Sequence, residues 1–201
     1  MKATFKPGLP ALAIACFGVA LLLAQAGVPE YSHRVHPVAL RGSAGLPWAL
    51  AYNLLAFVLP GAALVWAGVR LRTDWADAGW LARIGVVLVQ LSALAFAAQG
   101  LAPLEADTEA TGSRLHVLAW MLWWIAFVPG ALLLALGARR GIGFALACLA
   151  AALLVPLLAV FAPIGPWVGI AQRLAFALWF GWWLAICASA SGPGSSRTAG
   201  R

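Results

Sequence analysis

Six stretches of this chain, at about 9–26, 48–69, 81–100, 115–136, 142–161 and 173–190, are apolar runs of bilayer-crossing length. A helix rises about 1.5 Å per residue, so roughly 20 apolar residues cross the about 30 Å hydrocarbon core of a membrane. No other property of the sequence narrows the fold so far. In lipid every backbone N–H and C=O must find a partner inside the protein, which leaves helices and closed barrels. The runs do not alternate with a period of two, so they read as helices and not as barrel strands. The predicted fold class is therefore all-α: a polytopic membrane bundle of six transmembrane helices, one domain over 1–190. Residues 191–201 read as a flexible cytoplasmic tail. Pro60, Pro129 and Pro156 fall inside spans, where a kink is tolerated if neighbours satisfy the freed carbonyl.

Composition enters as an exclusion. Only 9% of the 201 residues are charged and 64% are hydrophobic. A soluble domain carries about 25% charged residues to wet its surface. Soluble enzymes, disordered tails and nucleic-acid modules are excluded together, and no nucleic-acid partner is expected despite a net charge of +7.

The charges instead orient the chain. In an alternating six-span scheme Lys2, Lys6, Arg70, Arg72, Arg83, Arg139, Arg140, Arg197 and Arg201 share one side, and Arg34, Arg41, Arg114 and Arg173 share the other. The positive-inside rule assigns the first group, with both termini, to the cytoplasm of an inner-membrane protein. Asp74 and Asp77 join that side, while Glu30, Glu105, Asp107 and Glu109 lie opposite. The first run has a rival reading, because Lys2, Lys6, the apolar run and Ala24-Gln25-Ala26 also describe a cleavable secretory signal. Cys16, Cys148 and Cys187 read as apolar fillers within spans.

An internal repeat is visible. Arg114-Leu115, Trp120, Trp123, Trp124 and Ala126 match Arg173-Leu174, Trp179, Trp182, Trp183 and Ala185 at a constant offset of 59. Upstream, Ala102-Pro103-Leu104 parallels Ala162-Pro163-Ile164, and Ala56–Ala62 echoes Ala126–Ala131 around Pro60-Gly61 and Pro129-Gly130. Three repeated helical hairpins are the simplest account. His116, Trp120, Trp123, Trp124 and Phe127 form one helical stripe, and Arg173, Phe176, Phe180 and Trp183 form another. Such stripes read either as packing with interfacial anchoring or as the lining of a cleft for a lipid or other apolar ligand. The candidate lining residues are Asn53, Trp120, Trp123, Trp124, Trp179 and Trp183.

All three histidines fall on the outer side of this scheme. His33 and His36, with His116 and a carboxylate, form a weak zinc pattern, the alternative being loop histidines hydrogen-bonded to neighbours. His116 could serve as a general acid or base, since an ordinary imidazole titrates near neutrality. Glu105 stands nearby in sequence, and Arg114 and Arg173 could clamp a phosphate or carboxylate, or simply snorkel. Ser113 reads as a helix N-cap, and Asn53 and Gln90 as polar glue between helices.

Several functions are absent from the sequence. No span holds a central Asp, Glu or Lys for ion coupling, no lysine is placed for a Schiff base, and no phosphate-binding loop motif occurs. No cofactor is expected.

His36-Pro37, Ala39-Leu40, Asn53, Phe57 and Pro60-Gly61 begin a further pattern. Gln99-Gly100-Leu101, Pro103-Leu104-Glu105 and Ser113-Arg114-Leu115-His116 continue it. It resembles the domain-of-unknown-function 998 family of small prokaryotic membrane proteins over roughly residues 8–190. Family members often carry Pro-Leu-Asp where this chain has Pro103-Leu104-Glu105. The resemblance implies six helices and brings no catalytic residue with it. Three expectations result: a protein that binds or processes a lipid or other apolar ligand at the extracytoplasmic face, an assembly partner of another membrane protein, or a small permease.

Overall fold

A computed structural model describes residues 8–162 and 165–190. Six helices follow one another: α1 Gly8–Leu22, α2 Ala49–Asp74, α3 Trp80–Leu101, α4 Thr111–Gly137, α5 Ile142–Phe161 and α6 Gly165–Ser189. The described residues contain no strand. Helices α2 to α6 are each long and apolar enough to cross a membrane. The expected tail at 191–201, Lys2, Lys6, and the Pro163-Ile164 part of the repeat lie outside the described residues.

The first run is shorter than the sequence suggests. Its helix has 15 residues, about 22 Å of rise, where the apolar run extends to residue 26. The cause is local. Arg41 takes the carbonyls of Ala24 and Ala26, and Gly27 adopts φ +75°, so the backbone beyond Leu22 leaves the helix in turns. The sixth run is longer than expected, because its helical turns begin at Gly165 and carry Gln172 and Arg173 inside the helix. The fourth also starts earlier, at Thr111. Ser113 is therefore inside α4 and is not its cap; its hydroxyl accepts the Glu105 N–H and donates to the Asp107 carbonyl.

Successive helices run antiparallel. One end of the bundle, here the turn end, carries the tight turns 75–79 and 138–141. The other, the loop end, carries 23–48 and 102–110, joined where the Ala44 N–H donates to the Leu104 carbonyl at 2.7 Å. At the turn end Arg140 donates to the Ser189 carbonyl near the end of α6 and lies 5.4 Å over the Trp75 ring.

Helix α3 is the middle of the packing, with α2 on one side and α4 on the other. In lipid, helices gain little from excluding water, so close backbone approach and polar contacts hold them together. Both Pro-Gly pairs serve that approach. A Cβ at Gly61 would stand 2.7 Å from Ala97 N, and one at Gly130 would stand 3.0 Å from Val89 N. Gln90 donates across to the Val65 carbonyl, as polar glue should. Proline removes a donor from its helix, and two of the three span prolines adjoin a widened turn: Leu54–Val58 before Pro60 and Leu157–Phe161 after Pro156.

Candidate functional site

The polar residues of the loop end form a set of clamps on backbone carbonyls. Arg173, in the third turn of α6, is the largest. Its Nη1 donates to the carbonyls of His33 (2.7 Å), Gly169 (2.7 Å) and His36 (3.1 Å), and its Nη2 donates to the Tyr31 hydroxyl at 2.6 Å. Beside it Gln172 Oε1 accepts the Val38 N–H at 2.6 Å, and the Gly169 N–H donates to the Arg34 carbonyl. Gly169 is required here, because a Cβ would collide with the carbonyls of His33, Arg34 and His36. The first loop is thereby latched to the start of α6.

Two of the three histidines belong to that latch. His36 Nδ1 accepts the Ser32 N–H at 3.0 Å, and the His33 ring meets Tyr31 edge-on at 5.5 Å. Burial first, and the Arg173 guanidinium second, push the His33 imidazole below its ordinary pKa. His116 is elsewhere, buried under the end of α3. Its Nδ1 lies 2.9 Å from the Ala102 carbonyl and 3.0 Å from the Gln99 carbonyl. Both partners are acceptors, so Nδ1 carries the hydrogen and holds two carbonyls that the helix end leaves unpaired. Among the described residues no three His, Cys, Asp or Glu side chains gather as a metal would need. His33, His36 and His116 are thus not brought together as a ligand set.

The remaining acid–base candidate, Glu105, is likewise committed to the backbone. Glu105 Oε1 accepts the Gly112 N–H at 3.1 Å, which places a carboxylate at the N-terminus of α4, where the helix dipole favours it. Arg114 is exposed and, among the described residues, has no hydrogen-bond or ion-pair partner. It does not share Arg173's role although the repeat aligns the two. Asn53, buried, donates to the Gly42 carbonyl at 2.8 Å, and a Cβ at Gly42 would collide with its amide.

Sequence reasoning placed Arg41 in an outer loop as one cation among several. It is in fact 2% exposed. Its Nε, Nη2 and Nη1 donate to the carbonyls of Ala24 (2.6 Å), Ala26 (2.8 Å) and Pro47 (2.9 Å), and its guanidinium lies 5.4 Å over the Tyr52 ring. Two of these carbonyls belong to the turns just past Leu22, so the charge sits close beyond the negative end of α1. Its position after a Pro-Val-Ala-Leu run gave no signal of this.

The aromatic candidates form the core itself. Trp123, Trp179 and Trp183 are fully buried. Trp123 meets Trp179 edge-on at 5.7 Å, Phe96 lies 4.8 Å from Trp179, and Phe176 lies 5.0 Å from Trp123. The first and last of these pairs are edge-to-face, which satisfies the ring quadrupoles, while Phe96 and Trp179 are tilted by 35°. Trp120 and Trp124 are half-buried against the same cluster. These rings fill the space between α3, α4 and α6 with one another. Near the loop end of α3 the buried Gln99 amide finds no hydrogen-bond partner at either atom among the described residues.

Space for a ligand is found at the surface instead. At the loop end a groove of about 270 Å³ runs between α1 and α2, lined by Ala20, Leu23, Trp48, Ala51, Leu55 and, at its polar edge, Arg41. Trp48, at its mouth, is 76% exposed and adopts the left-handed conformation (φ 60°) that a bulky residue rarely takes.

No family model matches this chain, and neither the curated proteins nor the solved structures contain a match to it.

Proposed function

We propose that the chain is a six-span protein of the bacterial inner membrane, of the domain-of-unknown-function 998 kind. In this reading it has three helical hairpins, both termini in the cytoplasm, and holds the apolar chain of a lipid at its extracytoplasmic face. The excess of arginine at the turn end supports the orientation. One observation carries the ligand assignment: the groove between α1 and α2, apolar along its walls and closed at one edge by a guanidinium and an aromatic ring. Its volume is just below the about 300–1,000 Å³ of a site that encloses a whole small molecule. It therefore suits a segment of chain entering from the bilayer. The left-handed Trp48 supports the same place, since backbone strain tends to be kept where it serves a site. Binding is favoured over chemistry because His116, Glu105 and Arg173 are each occupied with backbone groups.

Mass spectrometry of gently purified protein tests this. Ala51→Trp fills the groove and should remove a bound acyl or prenyl chain. Ala147→Trp, on an exposed face of α5, should leave it in place. Equal retention of lipid by both variants overturns the assignment.

A further inference from the structure

At the turn end a second and larger cavity, about 590 Å³, opens between α2 and α3. Two arginines line it, Arg72 from the last turn of α2 and Arg83 from the first turn of α3, together with Thr73 and Trp80. No carboxylate lines it. Among the described residues neither guanidinium has a hydrogen bond, ion pair or ring contact. This sets them apart from Arg41, Arg140 and Arg173, each of which is spent on carbonyls. Arg72 and Arg83, both exposed, set two positive charges beside one cavity, and their planar forks match phosphate oxygens in pairs.

The cavity is not polar throughout. Val69, Ile84 and Val87 continue from the arginines along α2 and α3, and Trp80, 68% exposed, stands at the mouth as interfacial tryptophans do. A free phosphate ion would use the arginines and leave this wall bare. An acidic phospholipid uses both: phosphate between the cations, first carbons of its chains on the valines and isoleucine. We infer that Arg72 and Arg83 form a binding site for the headgroup of an anionic phospholipid, with an apolar wall for its chains. This site lies at the opposite end of the bundle from the groove proposed above and does not depend on it. Basic pockets between helices are a common headgroup device on the face of a membrane that carries acidic lipid.

The test uses the full chain reconstituted in vesicles of equimolar phosphatidylglycerol and phosphatidylcholine, with retained lipid read by native mass spectrometry. The double variant Arg72→Gln/Arg83→Gln should lower retained phosphatidylglycerol by about tenfold, since both bidentate phosphate partners are lost. The control Arg70→Gln/Arg139→Gln removes the same charge from the same end outside this cavity, so it loses only the diffuse surface attraction and should lower retention clearly less. Val87→Trp, which obstructs the apolar wall and keeps both cations, should also lower retention. Equal loss in the double variant and the control means diffuse attraction and overturns the site. Full displacement of the lipid by excess inorganic phosphate, with Val87→Trp without effect, would make it an anion site and overturn the lipid assignment.

Discussion

Arg173 and Tyr31 stand 142 positions apart in sequence and 2.6 Å apart in space, the guanidinium donating to the phenol oxygen. That bond and its neighbours close the bundle at the loop end, joining the connection after α1 to the final helix. Breaking it should be costly. Arg173→Ala leaves three carbonyls and a half-buried hydroxyl without their donor, a loss of about 2–3 kcal/mol. Arg114→Ala, the aligned position of the repeat, should change stability by less than about 0.5 kcal/mol because it is exposed. Thermal unfolding in detergent compares them directly. Equal melting temperatures for the two variants would contradict the latch.

The latch should weaken in acid. His33 is held neutral in the folded protein, with a pKa below the about 6.5 of an unstructured histidine. Unfolded chain therefore takes up a proton first as pH falls. Above pH about 6.5 both states are neutral at this residue and it contributes nothing to the pH dependence. Below it, stability declines and continues to decline until the folded value is passed. His33→Gln should flatten this part of the profile of melting temperature against pH; an unchanged profile assigns the acid sensitivity elsewhere.

Gly61 and Gly18 are both helical glycines with opposite surroundings. A Cβ at Gly61 would stand 2.6 Å from the Cβ of Ala97, whereas nothing lies within 4 Å of one at Gly18. Gly61→Ala should destabilise by about 1–3 kcal/mol through overpacking. Gly18→Ala should be neutral or stabilise by about 0.5–1 kcal/mol. The sign difference between the two, measured by the same unfolding assay, checks how closely α2 approaches α3.

Gln99 offers a prediction in the other direction. Its amide is buried with neither atom partnered among the described residues, and such groups cost about 1–3 kcal/mol. Gln99→Met preserves volume and removes both polar atoms while the backbone carbonyl remains for His116. It should raise the melting temperature. A lower one would mean that the amide has a partner in the membrane-embedded protein.

Much of the fold was legible because lipid makes apolar length a strong constraint. Five runs became helices of crossing length, the last starting well before its expected bound, and the Pro-Gly echo marks two helices that approach α3 in the same manner. Asn53 and Gln90 turned inward, as polar side chains in an apolar span must. What the sequence hid was the partner of each cation. Apolar patterning separates membrane from loop, but it says nothing about which carbonyl a guanidinium will reach. Arg173 and Arg114 share a motif and differ completely in environment, and Arg41 carries no motif at all. The tryptophan stripes were equally ambiguous: their spacing fits a packed core and a ligand cleft alike. Only the opposing rings, from Phe96 and Phe176, decide for packing.

Arg41 brings a formal positive charge into the protein interior and hands it to peptide oxygens from two separate stretches of chain, the exit of α1 and the entry of α2. A buried guanidinium is costly unless its donors are met, so it cannot settle until both stretches are in position to receive it. The exit of α1 and the entry of α2 must accordingly close around it together, with the arginine as the last piece to seat. Until Pro47 is in place, this charge stays in water.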